Sequence, residues 1–581
     1  MKRLFLLLVL CLPVGAAQSL GNVGSLADLL PAESFLVLGA QDVAAHQDKL
    51  APFIAEFEHL ELGAALSAVF AAEGESASEG EAENPLSAVP NALDGLGTLD
   101  ILGQDAWIAV SATPFNPLPA VTLAATVSAE ASLALAEIVA ETVQAENLEP
   151  LSEGGYTFFQ QALEDPESPV QVLAFAQEGD TLFLSTNPDT LRGVLRQLGG
   201  SSDPAFTSSE GYAATLAELD AANFVGYLDY AQVVNVISPF AQGLGFNQLV
   251  ERLSEAFTTA GVAAGAVRVT EDGLESESVQ RLDPAGGDEA LISLLSTPVA
   301  AEDTLELAPD SALSVSTAAT DLGAWWDYLN GIAASTPELG GSLDELSELF
   351  LGVNLRDTVF SWLGANLTTI TTGVAEAVEP GVAASNLLGE TVYVLASEDE
   401  AAAVSGLEAL FTTAGAALSS FTNPSGEADA AEASVSQVAG LNVTTYRVAD
   451  GVELSYAVTD GAVYLATTPS GLEAVLTGDA SLTSAPLAEP LLALVPEGAS
   501  AVTLTDNQQT LQGTAAQIAS QVQLSAGLGG ASQLDFAAVD EASEKLEQFL
   551  GFVAERLGFS VAYTERGETR VYSYGKTLVT W

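Results

Sequence analysis

Basic side chains are the scarcest feature of this sequence: 15 Lys and Arg stand against 78 Asp and Glu, for a net charge of −63. No Lys or Arg occurs between Lys49 and Arg192, between Arg281 and Arg356, or between Arg356 and Arg447. So few and so scattered cations cannot assemble the arginine forks that grip phosphates. A nucleic-acid-binding role is thereby excluded, and an anionic membrane surface would repel the chain. Histidine is nearly absent too, with only His46 and His59, thirteen residues apart. No zinc site or nucleophile–histidine pair follows from that spacing. The one cysteine, Cys11, lies in a segment expected to be removed, which leaves a cysteine-free mature chain without disulfides or thiol chemistry. Aromatic residues make up 7% of the chain, so the stacking platforms common in sugar-binding sites are sparse.

Apolar residues are plentiful. At 48% hydrophobic the chain can build large cores despite its charge, and disorder is not expected. Residues 1–17 read as a signal peptide: Lys2 and Arg3 lead an apolar run from Leu4 to Leu12, followed by the small residues Val14-Gly15-Ala16-Ala17. That run is shorter than the roughly 20 residues needed to span a bilayer. The expected product is exported to the periplasm, the cell surface or the medium, and is not an integral membrane protein. Its acidity reads first as a solvated surface, and second as a means of capturing a cation or a basic protein partner.

The length exceeds what one core usually supports, and internal repeats divide it. "DTLFLSTNPDTLRGVL" (180–195) aligns with "GAVYLATTPSGLEAVL" (461–476), "LPAESFLVLGAQD" (30–42) with "APDSALSVSTAATD" (308–321), and "VRVTEDGLESE" (267–277) with "VAYTERGETRV" (561–571). The pattern predicts tandem duplication of two homologous domains, 18–290 and 291–581. Each is expected to be α+β, a mainly antiparallel sheet packed with helices, because consecutive strands are joined by short Gly- or Pro-containing turns. The acidic stretch 73–85 reads as a solvated loop inserted in the first domain, without the ligand spacing of an EF-hand.

A strand–Asp–helix unit recurs four times, at Asp42, Asp229, Asp321 and Asp506. One such aspartate alone would be a candidate reactive carboxylate; four in one setting predict structural helix caps, which accept backbone N–H groups at a helix start. "WWDY" (325–328) is the densest aromatic patch, and Trp326 is its candidate for stacking on a ligand. No nucleophile elbow, phosphate loop or dinucleotide fingerprint is present. No catalytic residue, cofactor or metal ligand is assigned.

With the repeats laid out, the chain resembles an uncharacterised family of exported bacterial proteins, domain of unknown function 3352. The resemblance rests on "LPAESFLVLGAQD", "GDTLFLSTNPDTLRGVL" and "FVGYLDYAQ" with their second-half counterparts. It implies export and a duplicated α+β architecture, and it carries no activity. Two classes of function stay open. One is a non-enzymatic envelope protein that binds an apolar ligand or lipid, or acts structurally; the other is a hydrolase built on carboxylates alone, with or without calcium.

Overall fold

Segments in which every second residue is apolar become strands, because a strand turns successive side chains to opposite faces. The computed structural model describes residues 26–62, 102–113, 116–162, 172–220, 222–243, 247–302, 304–336, 340–373, 389–422, 432–449, 452–459, 461–478, 480–514 and 536–581. The expected signal segment 1–17 and the acidic loop 73–85 lie outside them. The chain forms two compact units. Met1–Gly245, Leu253–Gly287 and Trp581 belong to the first; Phe246–Arg252 and Asp288–Thr580 belong to the second.

The first unit is α+β. Its strands are β1 (Ser34–Gln41), β2 (Leu102–Thr113), β3 (Asn116–Val127), β4 (Leu151–Glu153), β5 (Tyr156–Ala162), β6 (Val172–Glu178), β7 (Thr181–Ser185), β8 (Phe224–Asp229), β9 (Val262–Val269) and β10 (Gly273–Arg281). All pairings are antiparallel, in the order β10-β9-β8-β1-β2-β3-β7-β6-β5-β4. The second unit has β11 (Ser314–Ala319), β12 (Leu363–Gly373), β13 (Glu390–Ser397), β14 (Glu432–Val438), β15 (Leu441–Ala449), β16 (Val452–Thr459), β17 (Ala462–Ala466), β18 (Ala501–Asp506), β19 (Leu557–Gly567) and β20 (Arg570–Val579). Its antiparallel order is β20-β19-β18-β11-β12-β13-β17-β16-β15-β14. Strand for strand, the two orders are the same.

Each sheet has a packed face. In the first unit it carries Val37, Trp107, Ala109, Ala124, Phe183, Val225 and Tyr227, all buried. Helices α1 (Gln47–His59), α2 (Ala129–Ala145), α3 (Pro188–Leu198) and α4 (Glu210–Leu216) accompany this sheet. Phe206, Tyr212 of α4 and Tyr227 form an aromatic knot with centroids 4.2 to 5.5 Å apart. In the second unit the packed face joins Val315, Ile370, Val392 and Leu504 to Leu472 of α9, Leu482, and Leu491 of α10 in one core. The helices named in this unit are α6 (Leu322–Ala334), α7 (Leu343–Leu351), α8 (Glu400–Thr422), α9 (Pro469–Thr477) and α10 (Glu489–Leu492); α5 (Tyr230–Gly243) belongs to the first unit.

The helix after β7 and that after β17 begin alike. Asn187 accepts the N–H groups of Asp189 and Thr190 at 2.9 and 3.3 Å, and Thr468 accepts that of Gly471 at 3.1 Å. Pro188 and Pro469 then open α3 and α9, where the missing N–H costs nothing.

One alignment needs correction. Matching 267–277 to 561–571 is out of structural register by three residues. Val267 lies opposite Phe224, five residues before Asp229, whereas Thr564 holds that place opposite Ala501, five before Asp506. The hairpins differ in length. The first hairpin joins Val269 to Leu274 across four residues, the second joins Gly567 to Arg570 across Glu568 and Thr569, so Gly273 lies outside the paired register and Gly567 inside it. An odd shift matters because it exchanges the two faces of a strand.

Candidate functional site

Around β1 and β2 the second face of each sheet is only half-buried, and here the units part company. In the first unit it is aliphatic: Leu36, Leu38, Ile108, Val110, Leu123, Leu184 and Leu228 are all of intermediate exposure, and Val121 is 41% exposed. They occupy adjacent positions, since Leu36 pairs with Val110 and Leu228, Leu38 with Ile108, and Leu123 with Ile108 and Leu184.

In the second unit the positions of Leu36, Leu38, Ile108, Val110 and Leu228 carry hydroxyls, whereas those of Leu123 and Leu184 carry Tyr393 and Leu465. Ser314 pairs with Thr371 and Thr505, Ser316 with Thr369 and Thr503, Thr505 with Ser560, and Ser560 with Thr577. Ser316 and Thr503 are hydrogen-bonded at 2.8 Å. Further along this face the surface is closed: Leu407 and Phe411 of α8 pack with Trp362, Tyr446, Tyr456 and Val463 into a second core. Only the stretch from β20 to β12 is hydroxyl-rich.

On the packed faces the exchange also runs deep. Gly39 sits beneath the fully buried Trp107, and a Cβ at Gly39 would fall 2.4 Å from the indole. The matching pair is Thr317 and Thr368, both buried, which share hydrogen bonds with Thr304. Neither feature was singled out in the sequence. The alternation in "SALSVSTAAT" and "NLTTITTG" is the signal that carries the hydroxyl faces.

The four aspartates do not share one geometry. Asp321 Oδ1 accepts the Ala324 N–H at 2.8 Å from extended backbone, as a cap should. Asp229 Oδ1 accepts from Gln232 at 3.1 Å and Asp506 Oδ1 from Gln509 at 3.0 Å, at the starts of their helical segments. Asp42 departs from the expectation. Its φ is +50°, left-handed, whereas an N-cap residue needs extended backbone, and its carbonyl oxygen accepts the Ala45 N–H at 2.9 Å. A 3-10 turn, Val43–His46, separates it from α1, so the residue preceding that helix is His46. Burial raises the pKa of Asp229 even though the N–H groups of Gln232 and Ala231 oppose the shift.

Asp105 is, with Asp229, a carboxylate whose protonated form burial favours. Burial raises its pKa and repulsion from Asp42 adds to that, against a hydrogen bond from the Leu26 N–H. Asn366, at the corresponding register position beside β11, accepts the Glu302 N–H at 3.2 Å through its side-chain oxygen. At that register position of the second sheet an amide supplies the acceptor for the incoming chain. Among the described residues no group of three or more His, Cys, Asp or Glu could hold a metal ion.

Trp326 stacks on Phe360 with centroids 4.7 Å apart, and its Nε1 donates to Asp344 Oδ1 at 2.8 Å. One ring face and the N–H are thus engaged inside the unit. Phe360 ends a π-helical turn, Arg356–Phe360, tied to α6 by the Arg356–Asp327 pair at 2.7 Å. His46 and His59 lie at opposite ends of α1, and burial and Lys49 lower the pKa of His46. Trp581 donates its Nε1 to the Thr270 oxygen at 3.0 Å and meets Phe53 edge-on. An open depression of about 440 Å³ on α8 is lined by Glu400, Ala401, Val404, Ser405 and Glu408, all within two or three turns of one helix. Among the described residues no helix is long and apolar enough to cross a membrane.

No protein-family model matches the chain, and no curated protein matches it. The solved structure titled "Structure of crystal form I of TP0453" is similar at 10% identity and a TM-score of 0.23, over 45% of this chain and 80% of that one. A likeness at that score supports no statement about fold or activity.

Proposed function

We propose that this is an exported, non-enzymatic binding protein of the cell envelope, made by tandem duplication of a ten-strand α+β domain, whose first unit carries an apolar ligand such as an acyl chain. Support for the duplication comes from the shared strand order and from the matching Asn187 and Thr468 helix starts. The observation that carries the ligand is the aliphatic second face of the first sheet. Its side chains are half-buried in a unit whose other face is closed at 0–1% exposure around Val37, Trp107 and Phe183. Apolar surface that keeps part of its area in water is a source of binding free energy, about 0.8 kcal/mol for each methylene that a ligand helps to bury. The second unit has the same sheet without that chemistry, so the aliphatic face is not a requirement of the fold.

The test copies the second unit into the first. Leu36→Ser, Leu38→Ser, Ile108→Thr and Val110→Thr, introduced together, reproduce Ser314, Ser316, Thr369 and Thr371. The full chain should bind a fluorescent fatty acid saturably at micromolar concentration and release lipid on denaturing extraction. The exchanged variant should lose that binding while keeping its far-UV circular dichroism. Absence of saturable binding, or equal binding by the folded variant, would sink the proposal.

A further inference from the structure

Strand β14, "EASVSQV", ends the sheet of the second unit, and among the described residues its one partner is β15. Ala433 through Gln437 are all exposed, on both faces of the strand, while Val438 at the turn end packs against the core. Val435 at its centre is 67% exposed. Proteins commonly blunt such edges with Lys, Pro or a bulge, because the free N–H and C=O groups otherwise template another strand. Here there is no Pro and no Lys, and the register with β15 runs without a bulge from Glu432–Arg447 to Val438–Leu441. The hairpin turn is held firmly. Ala439 and Gly440 take φ of +51° and +83°, the pattern of a two-residue turn matched to strand twist, although Ala439 adopts that conformation at a cost.

Charge identifies what this edge would accept. Arg447 is the only basic residue from Asp357 through Glu544, and it lies opposite Glu432 on one side and Glu453 on the other. Glu400 and Glu408 line the surface of α8, the helix whose Phe411 packs on Tyr446 of β15. A second copy of a chain at −63 would bring like charge to like; an extended cationic segment meets attraction and unpaired backbone groups together. We propose that β14 is a docking edge for an extended, basic segment of a partner protein, which adds to the sheet as a further strand.

The experiment uses the full chain and labelled octapeptides of alternating Lys and Val, followed by fluorescence anisotropy. Expected are saturable binding of the Lys/Val peptide, at least tenfold weaker binding of its Asp/Val counterpart, and the same loss when alternate peptide nitrogens are methylated. Methylation keeps the charge but removes the donors that strand addition needs. Val435→Lys should reduce binding at least tenfold with the melting temperature unchanged, since that side chain is solvent-exposed. Ser434→Pro and Val435→Pro, adjacent and so facing opposite ways, should differ: one removes an N–H from the open edge, the other disturbs the pairing with β15. Equal affinity for the methylated peptide would reduce the interaction to bulk electrostatics and overturn the proposal. No binding, or binding untouched by Val435→Lys, overturns it as well. A concentration-dependent dimer that Val435→Lys abolishes would make the occupant a second copy, which is the rejected alternative.

Discussion

The contact between Gly39 and Trp107 makes a stringent test of how the first unit is packed. Glycine is required there because a Cβ would sit 2.4, 2.5 and 2.7 Å from Cε3, Cζ3 and Cδ2 of the indole. The ring is rigid and Trp107 is 0% exposed, so neither can give way cheaply. Gly39→Ala should therefore cost about 1–3 kcal/mol, the range for overpacking a filled core. Trp107→Thr, which installs the residue found at Thr368, empties the site and should cost about 3–5 kcal/mol. The informative variant is the double one. With the indole gone, the three closest clashes of the alanine methyl are gone too, and Gly→Ala on a strand then stabilises by about 0.4–1 kcal/mol through the unfolded chain. The sign of the Gly39→Ala effect should reverse between the two backgrounds. Urea unfolding of the full chain, followed by far-UV circular dichroism, measures it from the shift in midpoint at constant slope. If Gly39→Ala costs the same in both backgrounds to within about 0.5 kcal/mol, the pair is not in contact and the reasoning fails.

Other expectations are simpler. Asp321→Ala should destabilise the second unit by about 1 kcal/mol, while Asp42→Gly should stabilise the first slightly, since φ of +50° suits glycine better than aspartate; thermal melts of both variants decide this. Asp105 has a raised pKa, so the folded state holds its proton more tightly than the unfolded one, and stability is lost as pH rises through the carboxylate range. Asp105→Asn keeps an acceptor for the Leu26 N–H and should raise the melting temperature at pH 7 but not at pH 3; a gain of equal size at both pH values would contradict the charge argument. Gly406→Ala should destabilise α8 by about 1–3 kcal/mol although alanine is the better helix former, because the new Cβ would collide with the Thr358 carbonyl oxygen and the Trp362 indole nitrogen. A melting temperature at or above that of the parent would show that α8 stands further from the π-helical turn.

The antiparallel α+β architecture is legible in the sequence because alternation is a local signal. "SFLVLGAQ", "TLFLS" and "FVGYLD" announce their strands without reference to anything distant. What escapes is set by partners far away in the chain. That Gly39 faces a tryptophan, and Thr317 a threonine, depends on pairings that cross long connections. The pattern at Asp42 matches that at Asp321, yet the interposed turn Val43–His46 leaves one aspartate left-handed and the other a cap. No short motif distinguishes them. The hairpin alignment failed for a similar reason: "TEDG" and "TERG" look equivalent, but turns of different length place their glycines in different surroundings. The contrast between the half-buried faces was present in the residue types all along and acquired meaning only once the register assigned them to one surface.

The central placement of β1 also has a consequence for how the chain is made. Its neighbour β8 pairs Leu228 with Leu36, so a strand synthesised near the start waits for a partner almost two hundred residues later. The second unit repeats the arrangement with Ser314 and Thr505. At elongation rates of about 5–20 residues per second, each wait lasts roughly 10–40 s. Throughout that interval one edge of the first strand pair has nothing to bond to, and the aliphatic residues of β1 and β2 stand uncovered. A dense negative charge spread along the nascent chain would repel such half-made sheets from one another until β8 arrives, before there is any folded surface to solvate.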